Sequence, residues 1–257
     1  MFATIRYTVD NNVAWIALNR PETLNAFTAE MNREMTAALK QAGKDRTVRG
    51  VVLTGEGRGF CSGQDLADVQ DVDDYAVVLR ERYNPMMTAL AALEKPVVAA
   101  VNGTAAGAGM SLALACDFRL LSERASFINA FIHVGLIPDS GNLYYLTRLV
   151  GQAKALELAM LGEKVNAEEA LALGLATRVV PAETWEADVR AFAERLARMP
   201  TKALGLIKRY VRLSWESDFT EMLVHEAEAQ RIAGRSADHK EGIQAFLEKR
   251  KPQFSGN

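Results

Sequence analysis

The chain has 257 residues, with 30 Lys and Arg against 32 Asp and Glu for a net charge of -2, and 49% of its residues are hydrophobic. That length can bury a core without disulfide or metal staples, while the balanced charge, with 18 Gly and 7 Pro, excludes a collagen, a disordered tail and a strongly basic nucleic-acid binder. Cys61 and Cys116 form no CxxC pair and His133, His225 and His239 show no ligand spacing, so neither a disulfide framework nor a zinc site is expected.

The opening MFATIRYTVD has no basic stretch followed by an apolar run, so no export signal is expected. Alternation in IRYTVD (5–10) and VAWIALN (13–19) around Asn11-Asn12 predicts a hairpin, with Ile5, Tyr7 and Val9 on one face and Val13, Trp15 and Ala17 doing the same. Thr28 is a plausible N-cap for a helix that carries Met31, Met35, Ala38 and Leu39 at helical spacing as far as Gly43. RGVVLT (49–54) and PVVAAV (96–101) are Val-rich strands that each run into a glycine-containing loop, with a helical stretch over 73–93 between them. A helix over 110–116, a strand over 118–121, a helix over 143–150 and a last strand over 177–180 complete a core of parallel strands with helical crossovers. Strand-loop-helix turns recur only as a weak echo without a fixed period. The most apolar stretch, 96–116, is broken by Asn102, Thr104, Ser111 and three glycines, short of the roughly 18 apolar residues of a membrane span. A soluble, cytoplasmic protein is expected, without membrane or nucleic-acid partners.

Beyond Pro181 the pattern turns to charged helices over 184–198, 202–213, 219–232 and 237–250, with a division placed between 1–195 and 196–257. Their apolar stripes, such as Leu204, Ile207, Tyr210 and Val211, need cover from the core or another subunit.

The chain has no GxxxxGK[ST], HExxH or GxSxG, and the GEGRG run at 55–59 lacks the spacing and the following helix of a dinucleotide loop. Two other segments suit chemistry better: RGFCSGQDL (58–66) and NGTAAGAGMS (102–111). Their small residues allow a ligand close to the main chain, and Ala108 would open a helix whose unpaired N–H groups favour negative charge. Tight packing of a loop on a strand would use the same residues. A third segment, FIHVGLIPDSG (131–141), holds Asp139. Asp139 or Ser140 could simply cap the next helix, whereas a general base would need apolar walls, for which Ile132, Leu136 and Ile137 are candidates.

The three segments occur together and in order, and with LNA (24–26), KPVVAAVNGTAAGAGMSLALACDFRL (95–120), AKALEL (153–158) and AFLEKRKPQF (245–254) the chain resembles the crotonase superfamily of enoyl-CoA hydratases and isomerases over almost its whole length. The resemblance implies an α/β fold, a spiral of repeated ββα units with a C-terminal helical trimerisation region. It also implies an oxyanion hole from the backbone N–H groups of Gln64 and Ala108, with Asp139 as the acid-base residue. Positions where family hydratases carry two glutamates are Ser111 and Phe131 here, which points to double-bond isomerisation, with hydration or a non-catalytic acyl-CoA-binding role as alternatives. GLIPD and the tail at 233–254 resemble the 1,2-epoxyphenylacetyl-CoA isomerase group, implying ring expansion of an epoxide to an oxepin. Contacts to the acyl-CoA are implied at Asn25, Ala26, Phe27, Gly63, Asp65, Leu66, Ala67, Gly107, Gly109, Ser111, Phe131, Lys249 and Phe254. Lys249 to Lys251 read equally well as a solvated helix end. Coenzyme A would arrive as part of the substrate, with no metal or separate cofactor, and a homotrimer or dimer of trimers is implied. Asn142, where relatives often have Gly, could add a polar group near the acid.

Overall fold

A computed structural model describes residues 2–70 and 72–257. Its main sheet has six strands: β1 (Ile5–Asp10), β2 (Val13–Leu18), β3 (Gly50–Gly55), β5 (Val97–Val101), β7 (Phe118–Ser122) and β10 (Arg178–Val180), adjacent in that order. Only β1 and β2 pair antiparallel; the rest of this sheet is parallel. A second sheet joins four short strands, β4 (Gly59–Cys61), β6 (Thr104–Ala106), β8 (Ser126–Ile128) and β9 (Lys164–Asn166), in that order.

The chain therefore climbs in repeated turns, each a main-sheet strand, a short second-sheet strand and a helical segment: β3 and β4, then β5 and β6, then β7 and β8. This is the spiral of ββα units that the resemblance implies, and the weak echo in the sequence is its trace. The two glycine-containing segments expected as loops each contain one of these short strands.

Both faces of the main sheet are covered, as parallel sheets require. Ile16, Leu53, Ala99 and Val101 share one buried cluster with Met31, Met35 and Leu39 of the helix Ala29–Lys44. Val13, Val52, Val98 and Leu120 pack against the helix Trp185–Ala197 through Val189, Ala193 and Leu196. The one-sided alternation expected for β2 is thus corrected: Val13, Ala14 and Ile16 are all fully buried, because β3 pairs with it and helices cover both faces. Alternation persists in edge strand β1, where Ile5 is buried and burial fades toward exposed Val9.

Thr28 caps its helix as expected, its Oγ1 accepting from the Met31 N–H at 3.2 Å. Three helices, Thr201–Leu213, Phe219–Gly234 and Ala237–Leu247, follow the sheet-covering helix. The last is shorter than expected. Lys249 follows its C-cap in the left-handed region, the Lys249 N–H donating to the Phe246 carbonyl at 3.2 Å and the Arg250 N–H to the Ala245 carbonyl at 3.0 Å, so the exposed Lys249–Lys251 run closes the helix as a solvated end, with Arg250 paired to Glu241 and Glu248. Among the described residues no helix is long and apolar enough to cross a membrane.

Candidate active site

The segments that follow β4, β6 and β8 converge, one from each turn of the spiral, on a cavity of about 180 Å³. Ser62, Gly63 and Gln64 come from the first, Gly107 and Ala108 from the second, and Phe131, Leu136 and Asp139 from the third. The helical stretch after the first turn closes it with Tyr75, Val78, Leu79 and Tyr83.

Glycine permits the first two segments to meet. Gly63 has φ +98°, and a Cβ on it would sit 3.0 Å from the Ala106 carbonyl oxygen and 3.5 Å from the Ala108 nitrogen. Gly107 has φ +52° and turns the chain into the helix Ala108–Leu114. That helix lies two residues earlier than the expected 110–116, and Ala108 opens it as expected, with its N–H beyond the reach of the helical ladder. Phe27 forms an isolated parallel bridge with Gln64: its N–H donates to the Gly63 carbonyl at 2.7 Å, and its carbonyl accepts from the Asp65 N–H at 2.9 Å. Because successive groups of an extended strand point to opposite sides, this bridge leaves the Gln64 N–H facing away. Among the described residues neither the Gln64 nor the Ala108 N–H has a hydrogen-bond acceptor, and both residues line the cavity.

Asp139 is the one carboxylate lining the cavity among the described residues. Burial raises its pKa above the ordinary aspartate value, and a hydrogen bond from the Ser140 hydroxyl at 2.8 Å offsets part of that rise. The simpler expectation, that Asp139 or Ser140 caps the next helix, is corrected. The helix Asn142–Leu161 has Gly141 at its N-cap without a side-chain cap, and Asp139 contributes only its backbone carbonyl, which accepts from the Asn142 N–H at 2.9 Å. The expected walls are corrected as well. Leu136 lines the cavity, but Ile132 and Ile137 are 43% and 77% exposed, and the apolar lining comes instead from Phe131, Val134, Val78 and Leu79.

Behind Asp139 lies a buried polar chain. The Asn129 amide donates to Asn142 Oδ1 at 3.2 Å, the Asn142 amide donates to Ser111 Oγ at 3.2 Å, and the Ser111 hydroxyl has the carbonyls of Asp139 at 3.0 Å and Gly107 at 3.2 Å as acceptors. Ser111 and Asn142 are fully buried and Asn129 nearly so. The chain ties the Asp139 main chain to the carbonyl of the residue preceding Ala108. Asn142 is therefore near the acid, joined to it through Ser111.

The other residues singled out by the sequence divide into groups. Gly63, Gly107, Phe131 and Leu66, the last 56% exposed, line the cavity. Ser111 and Gly109 lie behind it; a Cβ on Gly109 would fall 2.4 Å from the Cys61 carbonyl oxygen, so its smallness serves the packing of helix on strand. Asn25 is fully buried and donates to the carbonyls of Glu56, Gly59 and Phe60. Arg20 bonds the Ala26 carbonyl and pairs with Asp65 at 3.0 Å, while the Asp65 side chain accepts from the Ala67 N–H. These contacts fix the rim below Leu66. Lys249 and Phe254 do not line the cavity; the Phe254 carbonyl accepts from Arg49, which also holds Met199 and Thr201. Cys61 and Cys116 are buried and unpaired, their thiols pushed up to about 12 by burial. No motif singled out Tyr83 or Asn129, since neither side chain stands in a spacing that betrays the fold around it.

The fold and the cavity together define an α/β protein with main-chain donors and one buried acid on successive turns of a ββα spiral. Residues 8–257 match the family described as enoyl-CoA hydratase/isomerase, and the chain belongs to that family. It is similar to a Rhodobacter capsulatus protein named probable enoyl-CoA hydratase, 45% identical over 256 residues, 99% of each chain. It is also similar to the 1,2-epoxyphenylacetyl-CoA isomerase of Escherichia coli, 45% identical over 254 residues, 96% of this chain and 97% of that one. A solved structure of an enoyl-CoA hydratase subunit I from Geobacillus kaustophilus superposes with a TM-score of 0.94 at 36% identity, covering 100% of this chain and 99% of the other. Members of this family are enzymes, and these relatives are named as both hydratases and isomerases.

Proposed function

We propose that this chain is an acyl-CoA isomerase in which Asp139 moves a proton and the N–H groups of Gln64 and Ala108 hold the thioester oxygen. The observation that carries the reading is that Asp139, its pKa raised by burial, is the single carboxylate lining the cavity among the described residues. With a 3-enoyl thioester, the Asp139 carboxylate takes the C2 proton. The C2–H electron pair then forms the C1–C2 double bond of a dienolate, and charge gathers on the thioester oxygen between the two donors. Protonation at C4 by the Asp139 carboxylic acid returns the electrons, leaving the double bond between C2 and C3. One acid of raised pKa serves both transfers, and a preorganised donor is worth roughly 3 kcal/mol of barrier where single donors have been removed elsewhere. Coenzyme A comes with the substrate, and the rim at Leu66 and Ala67 is where its chain would leave the cavity.

The similarity to the 1,2-epoxyphenylacetyl-CoA isomerase extends this reading to ring expansion of an epoxide to an oxepin. The cavity of about 180 Å³ suits one ring, since an apolar cavity of about 150 Å³ takes up benzene. Hydration is the second reading, favoured by the Rhodobacter capsulatus relative; it asks for activation of a water molecule, and Ser111 and Phe131 supply no second carboxylate for that. The reading places the enzyme in the cytoplasm as a homotrimer or dimer of trimers, and the exposed Ile207, Val224, Phe219 and Phe246 of the C-terminal helices support a covering neighbour.

The test is to incubate the protein in deuterated water with a 3-enoyl-CoA and separately with a 2-enoyl-CoA, following bond position and water addition by mass spectrometry. The expected result is migration with deuterium incorporation and little hydration. Rapid formation of 3-hydroxyacyl-CoA would replace the isomerase reading with the hydratase. Inertness toward both, and toward 1,2-epoxyphenylacetyl-CoA, would leave acyl-CoA binding without catalysis.

A further inference from the structure

The wall of the cavity opposite the motif-bearing segments is one helical stretch with an irregular turn. Tyr75–Val78 is α-helical, Leu79–Tyr83 forms a π turn, and Asn84–Ala91 is α-helical again. In a regular α-helix the face shared by Tyr75, Val78 and Leu79 would be completed by residue 82, at i+7. A π turn takes more than four residues and moves that face by one, and such turns recur at functional sites. Tyr83 therefore joins Tyr75, Val78 and Leu79 on the cavity, while Arg82 turns to pair with Asp68 at 2.7 Å.

Tyr83 is 2% exposed and its hydroxyl donates to Gln64 Oε1 at 2.6 Å. Gln64 Nε2 in turn donates to the carbonyls of Phe27 at 3.0 Å and Asp65 at 2.9 Å. Every polar atom of the Gln64 side chain is thus engaged on one side of the chain, while its backbone N–H is left for the cavity. The Tyr83 ring meets Phe27 edge-on at 5.7 Å, and Phe27 is the residue that bridges Gly63 and Asp65. Burial holds the phenol in its neutral, donating form, with the nearby Cys61 and Asp139 adding to the rise of its pKa.

We propose that Tyr83 is a positioning residue for the oxyanion hole: inserted by the π turn, its hydroxyl clamps the Gln64 side chain and so aims the Gln64 backbone N–H at the thioester oxygen. This role rests on the isomerase reading above. Tyr83 acts through Gln64, so its loss weakens the state in which the oxygen carries charge more than it weakens binding of the neutral substrate.

The test compares wild type, Tyr83→Phe and Gln64→Met by kinetics with a 3-enoyl-CoA and by the near-ultraviolet absorbance of the enolate that acetoacetyl-CoA forms when bound. In both variants kcat is expected to fall by about 10-fold to 100-fold, less than the full loss of a donor, with KM within about threefold and the enolate signal reduced in parallel. Gln64→Met removes the acceptor without touching Tyr83 and tests the same link should Tyr83→Phe fold poorly. The double variant is expected to lose no more than the worse single one, the signature of residues acting as one unit. Unchanged kcat and enolate signal in the variants, beside an active wild type, would overturn the role of Tyr83 alone. A wild type that neither isomerises nor stabilises the enolate would overturn it together with the isomerase reading.

Discussion

Two walls of the cavity differ in what they are made of. The donor wall offers main-chain N–H groups of Gln64 and Ala108, placed by Gly63, Gly107 and the bridge to Phe27. The acid wall offers one side chain, Asp139, held by the buried chain of Ser111, Asn142 and Asn129. A main-chain donor tolerates changes of side chain but not of backbone path, whereas the acid tolerates loss neither of its carboxyl group nor of its burial. The donor wall is therefore governed by the sterics of small residues, and the acid wall by solvation and hydrogen bonding.

The sharpest test of the contrast is Asp139→Asn, which preserves shape and removes the proposed base. Turnover is expected to fall by about 10² to 10⁴, the span of acid-base catalysis, with binding of a substrate analogue retained. The wild-type rate should rise with pH as Asp139 ionises, with a midpoint above the ordinary aspartate value of about 4, because burial raises the pKa. Stability has the opposite sign. The folded state keeps the proton to a higher pH than the unfolded chain, so stability falls as pH climbs from the ordinary value through the raised one and stays lowered beyond it. Asp139→Asn should therefore raise Tm at neutral pH and leave it unchanged in acid; a lower Tm at neutral pH would mean that the carboxylate is held without a burial cost.

Gly63→Ala attacks the donor wall through its backbone. At φ +98°, with the new Cβ 3.0 Å from the Ala106 oxygen, the residue is strained by roughly 1–3 kcal/mol. The Gln64 and Ala108 donors move apart to relieve it, and kcat should drop by about 10², near the loss of one donor. Thermal melting and kinetics together check this, since strain without displacement would move only the Tm. Smaller effects are expected behind the acid wall. Ser111→Ala and Asn142→Ala each leave a buried partner unpaired, at about 1–3 kcal/mol, and because they share one chain their effects should be less than additive in a double-mutant cycle of denaturant unfolding. Full additivity would show that the chain is not a unit.

The same contrast explains what could be read from the residues. The strands β3, β5 and β7 announce themselves as apolar runs that a parallel sheet buries on both faces. The second sheet stayed hidden, because β4, β6 and β8 have three residues each and their small residues show no period, so the segments around them look like loops. Motifs mark the donor wall since its glycines must stand beside the donors they place. The environment of Asp139 leaves no such mark: its neighbours Phe131, Ser111, Asn142 and Tyr83 come from separate elements, and the residues alone favour a helix cap, a position that Gly141 holds. Tyr83 was least legible of all, because the π turn that presents it breaks the periodicity by which a helix face is recognised.

The mildest change returns to the donor wall. Ala108 is almost fully buried and opens its helix, but what it brings to the cavity is its N–H. Ala108→Gly keeps that N–H and removes a methyl group, at up to about 1 kcal/mol for glycine in a helix. Turnover of a short 3-enoyl-CoA should stay within about threefold of wild type, far from the 10² or more expected of a lost donor. KM for a bulkier acyl group should fall if the methyl group trims the pocket. A fall in kcat as large as that of Gly63→Ala would mean that the Ala108 side chain itself holds the donor in place, and the division between a wall of main chain and a wall of side chain would no longer stand.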